Sequence, residues 1–220
     1  KPNDTSWGTN YSDRTKSISK YFKKEYDIVR EKAETVDFYE DRLIKNYIYK
    51  GPVVEWYTRI KVKLENKYQP FHELLPKEGK ITDIGCGYGM MAYMLHLLSD
   101  KREILGLDYD AEKINVAQEC FLNNNNSKIN FVAADATQYP FTASDVFLIS
   151  DMLHYIPQVA QHQLIKTCLD NLNPDGMLII RDGDKDLEDR HQGTVWTEKF
   201  STQIFGFNKT KQEELSFLSG

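Results

Sequence analysis

The stretch DIGCGYG, at residues 83–89, decides how this sequence folds. It follows a short apolar run from Lys80 to Ile84 that is typical of a buried strand, and it leads into an amphipathic stretch over residues 89–99 that is typical of a helix. Glycines at positions 85 and 87 let the backbone turn tightly and approach a ligand, and the N-terminus of the helix favours negative charge. This unit of strand, turn and helix predicts a ligand-binding site at the end of the first strand.

The sequence beyond Lys80 alternates short β-branched runs with amphipathic helical stretches. This rhythm is typical of βαβ units, which form a parallel sheet covered by helices. The predicted strands cover residues 80–84, 103–108, 129–134, 146–150 and 177–182. The predicted helices cover residues 89–99, 111–122 and 158–172. Before Lys80, apolar residues at helical spacing predict two helices over residues 17–49, a third over 53–68 that stops at Pro70, and a short turn of helix over 71–75.

Acidic residues stand at the ends of the five predicted strands: Asp83, Asp108, Asp135, Asp151 and Asp182. In open α/β sheets, ligands bind beyond the carboxyl ends of the strands, so these residues outline a site. Asp108 ends the second strand, where a carboxylate can accept hydrogen bonds from both ribose hydroxyls of an adenosine. Asp135 follows the third strand and suits the amino group of an adenine.

These elements, taken in order, resemble class I S-adenosylmethionine-dependent methyltransferases over about residues 75–185. The family's first motif, an acidic residue followed by G-x-G-x-G, matches Asp83 and the glycines at 85, 87 and 89. A dinucleotide-binding fingerprint would need glycine at position 90, where this chain has methionine. The resemblance implies an α/β, Rossmann-like, doubly wound and mostly parallel sheet in the order 3-2-1-4-5. It also implies S-adenosylmethionine as cofactor, with S-adenosylhomocysteine as product.

The resemblance further implies which residues contact the cofactor. They are Asp83, Gly85, Cys86, Gly87, Asp108, Tyr109, Asp135, Ala136 and Ser150. Asp108 would hold the ribose, Tyr109 would pack on the adenine, and Asp135 with Ala136 would meet the adenine edge. An alternative interpretation makes Asp108 and Asp135 helix caps or loop carboxylates.

Residues 150–157, SDMLHYIP, resemble the family's fourth motif, which lies under the transferable methyl group. The candidate catalytic residues here are His154, Asp151 and Tyr155. A neutral imidazole at His154 could take a proton from a hydroxyl as it attacks the methyl group, or it could instead close a helix N-terminus by hydrogen bonds.

The acceptor is predicted to be a small molecule or lipid-like, with O-methylation favoured. Nucleic-acid amino-methyltransferases carry an Asn/Asp-Pro-Pro-aromatic motif where this chain has Ser150 to Leu153, and the sequence pI of about 5.6 also argues against nucleic acid. Arg181 could recognise an anionic substrate, or it could belong to a solvated loop. No metal is predicted, because Mg²⁺ takes about six oxygen ligands and the sequence provides only two candidate ligands, Asp151 and Asp182.

Charge and aromatic residues divide the chain near Lys80. Residues up to Lys80 hold 17 basic and 13 acidic side chains and eight of the 13 tyrosines, whereas the remainder holds 11 basic and 20 acidic side chains. We interpret residues 1–15 as a loose arm or tether, 16–76 as a helical segment that lids the site, and 77–220 as the methyltransferase domain. Aromatic candidates for an acceptor pocket, or alternatively for core packing, are Tyr21, Tyr26, Tyr47, Trp56 and Tyr57.

The remaining sequence features bear on location and completeness. No apolar run approaches the roughly 20 residues that span a bilayer, and three cysteines without C-x-x-C spacing indicate reduced thiols in a cytoplasmic protein. The chain does not begin with Met, and the antiparallel hairpin that this class adds after the fifth strand is not found in the sequence. We therefore predict a C-terminally incomplete domain, with a non-catalytic cofactor-binding module of a larger fused protein as the alternative function.

Overall fold

The computed structural model describes residues 36–47, 50, 52–65, 68–120 and 128–182. Our predictions for residues 1–35 and 183–220 lie outside the described residues. They include the arm, the first helix with Tyr21 and Tyr26, and the missing hairpin.

The described residues form six α-helices, five strands and one turn of 3-10 helix. In chain order these are α1 (Val36–Lys45), α2 (Pro52–Glu65), α3 (Tyr68–Leu74), β1 (Gly79–Ile84), α4 (Met90–Leu98), β2 (Arg102–Asp108), α5 (Ala111–Glu119), β3 (Ile129–Ala133), β4 (Ser144–Ser150), the 3-10 turn (Leu153–Tyr155), α6 (Gln158–Asp170) and β5 (Leu172–Arg181).

The five strands form one sheet in the order β3-β2-β1-β4-β5, and every described pair is parallel. The predicted fold class is confirmed. The strand order reverses between β1 and β4, so the crevice where ligands bind in open α/β sheets lies beside the end of β1.

The two central strands are apolar because helices cover both faces of the sheet. Ile81 and Ile84 of β1, and residues 146–149 of β4, are fully buried. Near-continuous apolar runs of this kind are typical of parallel strands. One core cluster unites the described N-terminal helices with α4 and α5, and a second lies on the opposite face with α6.

Several boundaries differ from the sequence prediction, and two of the differences have a local cause. The strand β5 begins at Leu172 instead of Met177, because a bulge inserts turn-forming residues between the pairs Ser144–Leu172 and Val146–Met177. The helix predicted over residues 53–68 ends earlier, because Tyr68 begins the next helix, α3, which also contains Pro70. Proline is tolerated there because the first turn of a helix has no intrahelical partner for its backbone N–H groups.

The fully buried side chain of Arg102 joins the described N-terminal helices to the sheet. Its guanidinium donates to the carbonyl oxygens of Pro76 at 2.8 Å and Leu95 at 2.9 Å, and burial lowers the pKa of Arg102 to about 10. The described N-terminal helices therefore share a core with the predicted methyltransferase domain, and their role as a lid stays a prediction.

No helix among the described stretches has both the length and the apolar character needed to cross a membrane.

Candidate cofactor and acceptor site

The predicted site residues lie at one edge of the sheet, where the carboxyl ends of the parallel strands meet. The glycine turn, residues 85–89, follows β1 and leads into α4. Asp108 ends β2, Asp135 follows β3, and Ser150 ends β4. The structure therefore brings together four segments that are widely separated in the sequence.

The glycine turn needs glycine for two different reasons. Gly89 has φ +76°, and a Cβ atom there would lie 2.6 Å from Cζ of Phe131, so only glycine fits. Gly87 has φ +56°, but a Cβ atom built there meets no described atom within 4 Å. The turn is therefore packed tightly on its Gly89 side and open on its Gly87 side.

Backbone hydrogen bonds attach the glycine turn to the end of β2. The N–H groups of Gly85 and Cys86 both donate to the carbonyl oxygen of Leu107, at 2.7 and 3.0 Å. The N–H of Gly87 donates to Oδ2 of Asp108 at 2.8 Å. These bonds fix the distance between the turn and the Asp108 carboxylate.

Asp108 is half-buried and accepts two backbone hydrogen bonds, because Oδ1 also accepts from the N–H of Asp110 at 2.9 Å. A carboxylate offers about four acceptor positions, so the contacts among the described residues leave room for a diol. The helix-cap alternative is wrong for Asp108, because Asp110 caps α5. Its Oδ1 accepts from the N–H groups of Glu112 at 2.9 Å and Lys113 at 3.3 Å.

The rim of the site carries Tyr109, Asp135 and Ala136. The side chain of Tyr109 is 79% exposed beside Asp108. Asp135 is exposed, and its Oδ1 accepts from the N–H and the hydroxyl of Thr137 at 2.9 and 2.8 Å, so it caps a turn as the alternative interpretation expected. Ala136 is buried in the cluster with Ile84. The contacts of these residues with an adenine stay predictions.

Cys86 belongs to the glycine turn, and Asp83 lies in β1 just before it. Asp83 is only 2% exposed. Burial, together with the nearby carboxylates of Asp83 and Asp108, raises the pKa of the Cys86 thiol well above its usual range. The Cys86 thiol is therefore protonated at physiological pH.

The end of β4 lies beside the end of β5. Asp151 adopts φ +56°, and its N–H donates to the carbonyl oxygen of Arg181 at 2.7 Å. Its carboxylate forms an ion pair with the Arg181 guanidinium and accepts from the Ser150 hydroxyl at 3.3 Å. A left-handed backbone at a non-glycine residue costs energy, and these contacts hold it.

His154 is paired with Asp182, a partner that sequence reasoning did not assign to it. Oδ1 of Asp182 contacts Nδ1 of His154, and its Oδ2 accepts from the N–H of Leu153 at 2.8 Å. The His154 side chain is 9% exposed and that of Asp182 is 1% exposed. In a neutral imidazole whose Nδ1–H donates to a carboxylate, the acceptor lone pair lies on Nε2.

Tyr155 lies against the same imidazole. Its ring centroid is 4.1 Å from that of His154, with the planes tilted by 49°. The position of Asp182 at the end of β5, next to β4, is the signal that could have indicated this pairing.

Asp151 pairs with the guanidinium of Arg181, and Asp182 contacts the imidazole of His154. The described residues contain no group of three or more side chains suited to a metal ion.

Of the five aromatic residues suggested by the sequence for an acceptor pocket, the structure describes Tyr47, Trp56 and Tyr57. Tyr47 is fully buried in the core, Trp56 is 62% exposed, and Tyr57 packs edge-on against Tyr88 with ring centroids 5.6 Å apart. Core packing, the alternative interpretation, describes Tyr47 and Tyr57.

Residues 81–176 match a protein family described as a methyltransferase domain. Carboxy-S-adenosyl-L-methionine synthase of Wolinella succinogenes is 26% identical over 109 residues, which cover 48% of this chain and 45% of that protein. Ribosomal RNA small subunit methyltransferase C of Acinetobacter baylyi is 32% identical over 109 residues, 47% of this chain and 32% of that protein. The chain thus spans less than half the length of these curated relatives.

A solved structure shares the fold over a larger part of the chain. It is a candidate O-methyltransferase from Nostoc punctiforme, with a TM-score of 0.55 and 18% identity, covering 75% of this chain and 50% of that one.

Proposed function

We propose that the protein, whose residues 81–176 match a family described as a methyltransferase domain and whose sheet has the order 3-2-1-4-5, is a class I methyltransferase that binds S-adenosylmethionine and transfers its methyl group to a small-molecule or lipid-like acceptor. The observation that carries this proposal is the hydrogen bond from the N–H of Gly87 to Oδ2 of Asp108 at 2.8 Å. It joins the two elements that the resemblance assigns to the methionine part and to the ribose of one ligand.

The described residues fit such a cofactor. The open position at Gly87 leaves space where the backbone would border the ligand. Asp108 is half-exposed and retains acceptor capacity for the two ribose hydroxyls. Tyr109 presents an exposed ring on the same side, where an adenine would pack.

The bound cofactor supplies a methyl group on a sulfonium, which is a good leaving group open to in-line attack. The main task of the protein is therefore to hold the acceptor in line with that methyl group. Positioning of this kind contributes about 7–11 kcal/mol to lowering a barrier.

His154 is proposed to accept the proton of an acceptor hydroxyl at Nε2. Asp182 would hold Nδ1 and stabilise the imidazolium that forms, because its carboxylate contacts that nitrogen and is almost fully buried. A positioned base contributes about 10²–10⁴-fold to the rate, and only for an acceptor that must lose a proton. The pair therefore favours O-methylation.

We propose that three residues next to His154 hold the surrounding side chains in place: Asp151, Ser150 and Tyr155. Asp151 would keep the Arg181 guanidinium in place through their ion pair, and Ser150 would hold the Asp151 carboxylate. Tyr155 would restrict rotation of the His154 ring, against which it packs.

Calorimetric titration with S-adenosylhomocysteine tests the cofactor. Binding with one site per chain is expected, and the absence of binding would overturn the proposal. The matched control is Asp108→Asn, which keeps the shape of the side chain but removes the charge and should bind more weakly.

Incubation with radiolabelled S-adenosylmethionine tests the acceptor class. Label is expected in small hydroxyl compounds or lipids, separated by solvent extraction from RNA and protein. Label recovered in ribosomal RNA would contradict the acceptor class. Binding without transfer to any pool would favour the alternative of a non-catalytic module.

A further inference from the structure

Tyr47 follows α1 in the chain and reaches the glycine turn from outside the sheet. Its side chain is fully buried, and its hydroxyl donates to the carbonyl oxygen of Tyr88 at 2.7 Å. Tyr88 stands in the glycine turn between Gly87 and Gly89, both with left-handed φ angles. A residue 41 positions away in the sequence therefore holds the backbone of the turn.

The hydrogen bond of Tyr47 is the outer link of a chain that ends at Asp108. The Tyr88 carbonyl and the Gly89 N–H belong to one peptide group, and this N–H donates to the carbonyl oxygen of Cys86 at 2.9 Å. The Cys86 carbonyl and the Gly87 N–H belong to a second peptide group, the one between residues 86 and 87. This N–H donates to Oδ2 of Asp108 at 2.8 Å.

Three hydrogen bonds through two peptide groups thus connect a buried hydroxyl to the carboxylate. Because each peptide group is bonded at both its C=O and its N–H, the links polarise one another and fix the plane of each group.

We propose that Tyr47 is a positioning residue for cofactor binding, a proposal that rests on the proposed function. Tyr47 acts by fixing the peptide group at 88–89 and, through it, the direction of the Gly87 N–H towards Asp108.

Glycine makes such a device necessary. Glycines at 87 and 89 have many accessible backbone conformations. A turn that contains them therefore loses more conformational entropy on ordering than a turn built from other residues. A turn that is ordered before the ligand arrives leaves less of this entropy to be lost on binding. Tyr57 adds a second restraint, since its ring packs edge-on against that of Tyr88 at 5.6 Å.

A purely packing role for Tyr47 makes a different prediction. Loss of packing would lower the stability of the free protein but leave the affinity of the folded molecules for ligand unchanged. Tyr47→Phe retains the ring and removes only the hydroxyl, so it separates the two roles.

Tyr93→Phe is the matched control. Tyr93 is also fully buried in the same core cluster, its ring packs edge-on against Tyr47 at 6.5 Å, and its hydroxyl likewise donates to a backbone carbonyl. That carbonyl belongs to Ala117 of α5 and lies outside the glycine turn.

The experiment measures the dissociation constant of S-adenosylhomocysteine by calorimetry, and the thermal midpoint of each free protein. Tyr47→Phe is expected to weaken binding about fivefold, the effect of one lost hydrogen bond, and Tyr93→Phe less than about twofold, whereas both lower the midpoint. Equal affinities in Tyr47→Phe and the wild type, or equal losses in the two variants, would overturn the inference. Failure of the wild type to bind would instead overturn the proposed function, and the inference with it.

Hydrogen exchange of the free proteins provides a second measurement that needs no ligand. Peptides covering residues 85–89 are expected to exchange faster in Tyr47→Phe than in the wild type, and unchanged in Tyr93→Phe. Unaltered exchange in Tyr47→Phe would overturn the inference even if the wild type binds S-adenosylhomocysteine.

Discussion

Oδ1 of Asp182 contacts Nδ1 of His154, although 28 residues separate the two in the chain. The contact forms because β4 and β5 are neighbours in the sheet, and it fixes the orientation of the His154 imidazole, which is the proposed base.

Replacement of His154 by alanine should lower turnover by about 10²–10⁴-fold, the contribution of a positioned base. Affinity for S-adenosylhomocysteine should stay near that of the wild type, because the glycine turn and Asp108 do not contact His154 in the described bonds. Steady-state rates with a hydroxyl acceptor and calorimetry check both parts. An unaltered rate would assign His154 a structural role.

Asp182→Asn should lower kcat on the order of tenfold or more, because the neutral amide no longer stabilises an imidazolium. The amide oxygen can still accept from the N–H of Leu153, so the local backbone should be retained. The measurement is kcat and KM for the acceptor in parallel with the thermal midpoint. A fall in the midpoint without a fall in kcat would contradict a role in positioning the base.

Asp108→Ala should weaken cofactor affinity at least about tenfold, since hydrogen bonds to a charged group contribute about 1.5–3 kcal/mol. Asp110→Ala is the control, because Asp110 caps α5 and its backbone N–H, which donates to Asp108, is retained. This control should lose about 1 kcal/mol of stability with little change in affinity. Unchanged affinity in Asp108→Ala would refute the ribose assignment.

Two glycine substitutions should separate folding from binding. Gly89→Ala forces a Cβ against the ring of Phe131 and should destabilise the fold by more than about 2 kcal/mol. Gly87→Ala meets open space and should cost only about 1–2 kcal/mol from its left-handed backbone, yet it should abolish S-adenosylhomocysteine binding. Urea unfolding and calorimetry report the two effects, and normal binding by Gly87→Ala would show that no ligand occupies that space.

The buried thiol of Cys168 should make stability depend on alkaline pH. Burial raises its pKa to about 12, whereas the unfolded chain titrates near its ordinary value of about 8.5. The unfolded state therefore loses this proton first, and the free energy of unfolding should fall above about pH 8.5 by up to about 1.4 kcal/mol per pH unit.

Comparison of the wild type with Cys168→Ala between pH 7.5 and 10, under reducing conditions, isolates this contribution from other titrating groups. The variant should show the shallower decline. Parallel curves would contradict the proposed environment of the thiol.

The sequence pattern predicted the helices and strands well, because the formation of these elements depends mainly on residues that are close together along the chain. The alternation of β-branched runs and amphipathic stretches identified all five strands, and the glycine turn identified the crevice. The sequence prediction was wrong at two places where turn-forming residues lie inside a regular element. Residues 173–176 are typical of a loop but form a bulge within β5, and Pro70 is typical of a helix end but stands in the first turn of α3.

The sequence by itself determined the strand set, the glycine turn and the acid at each strand end, because periodicity and glycine placement act over a few residues. Only the tertiary structure decided which of those acids meets which partner. Asp182 meets His154, Asp151 meets Arg181, and the hydroxyl of Tyr47 meets the backbone of Tyr88. These contacts depend on strand order and helix packing, which bring together residues that no local pattern relates.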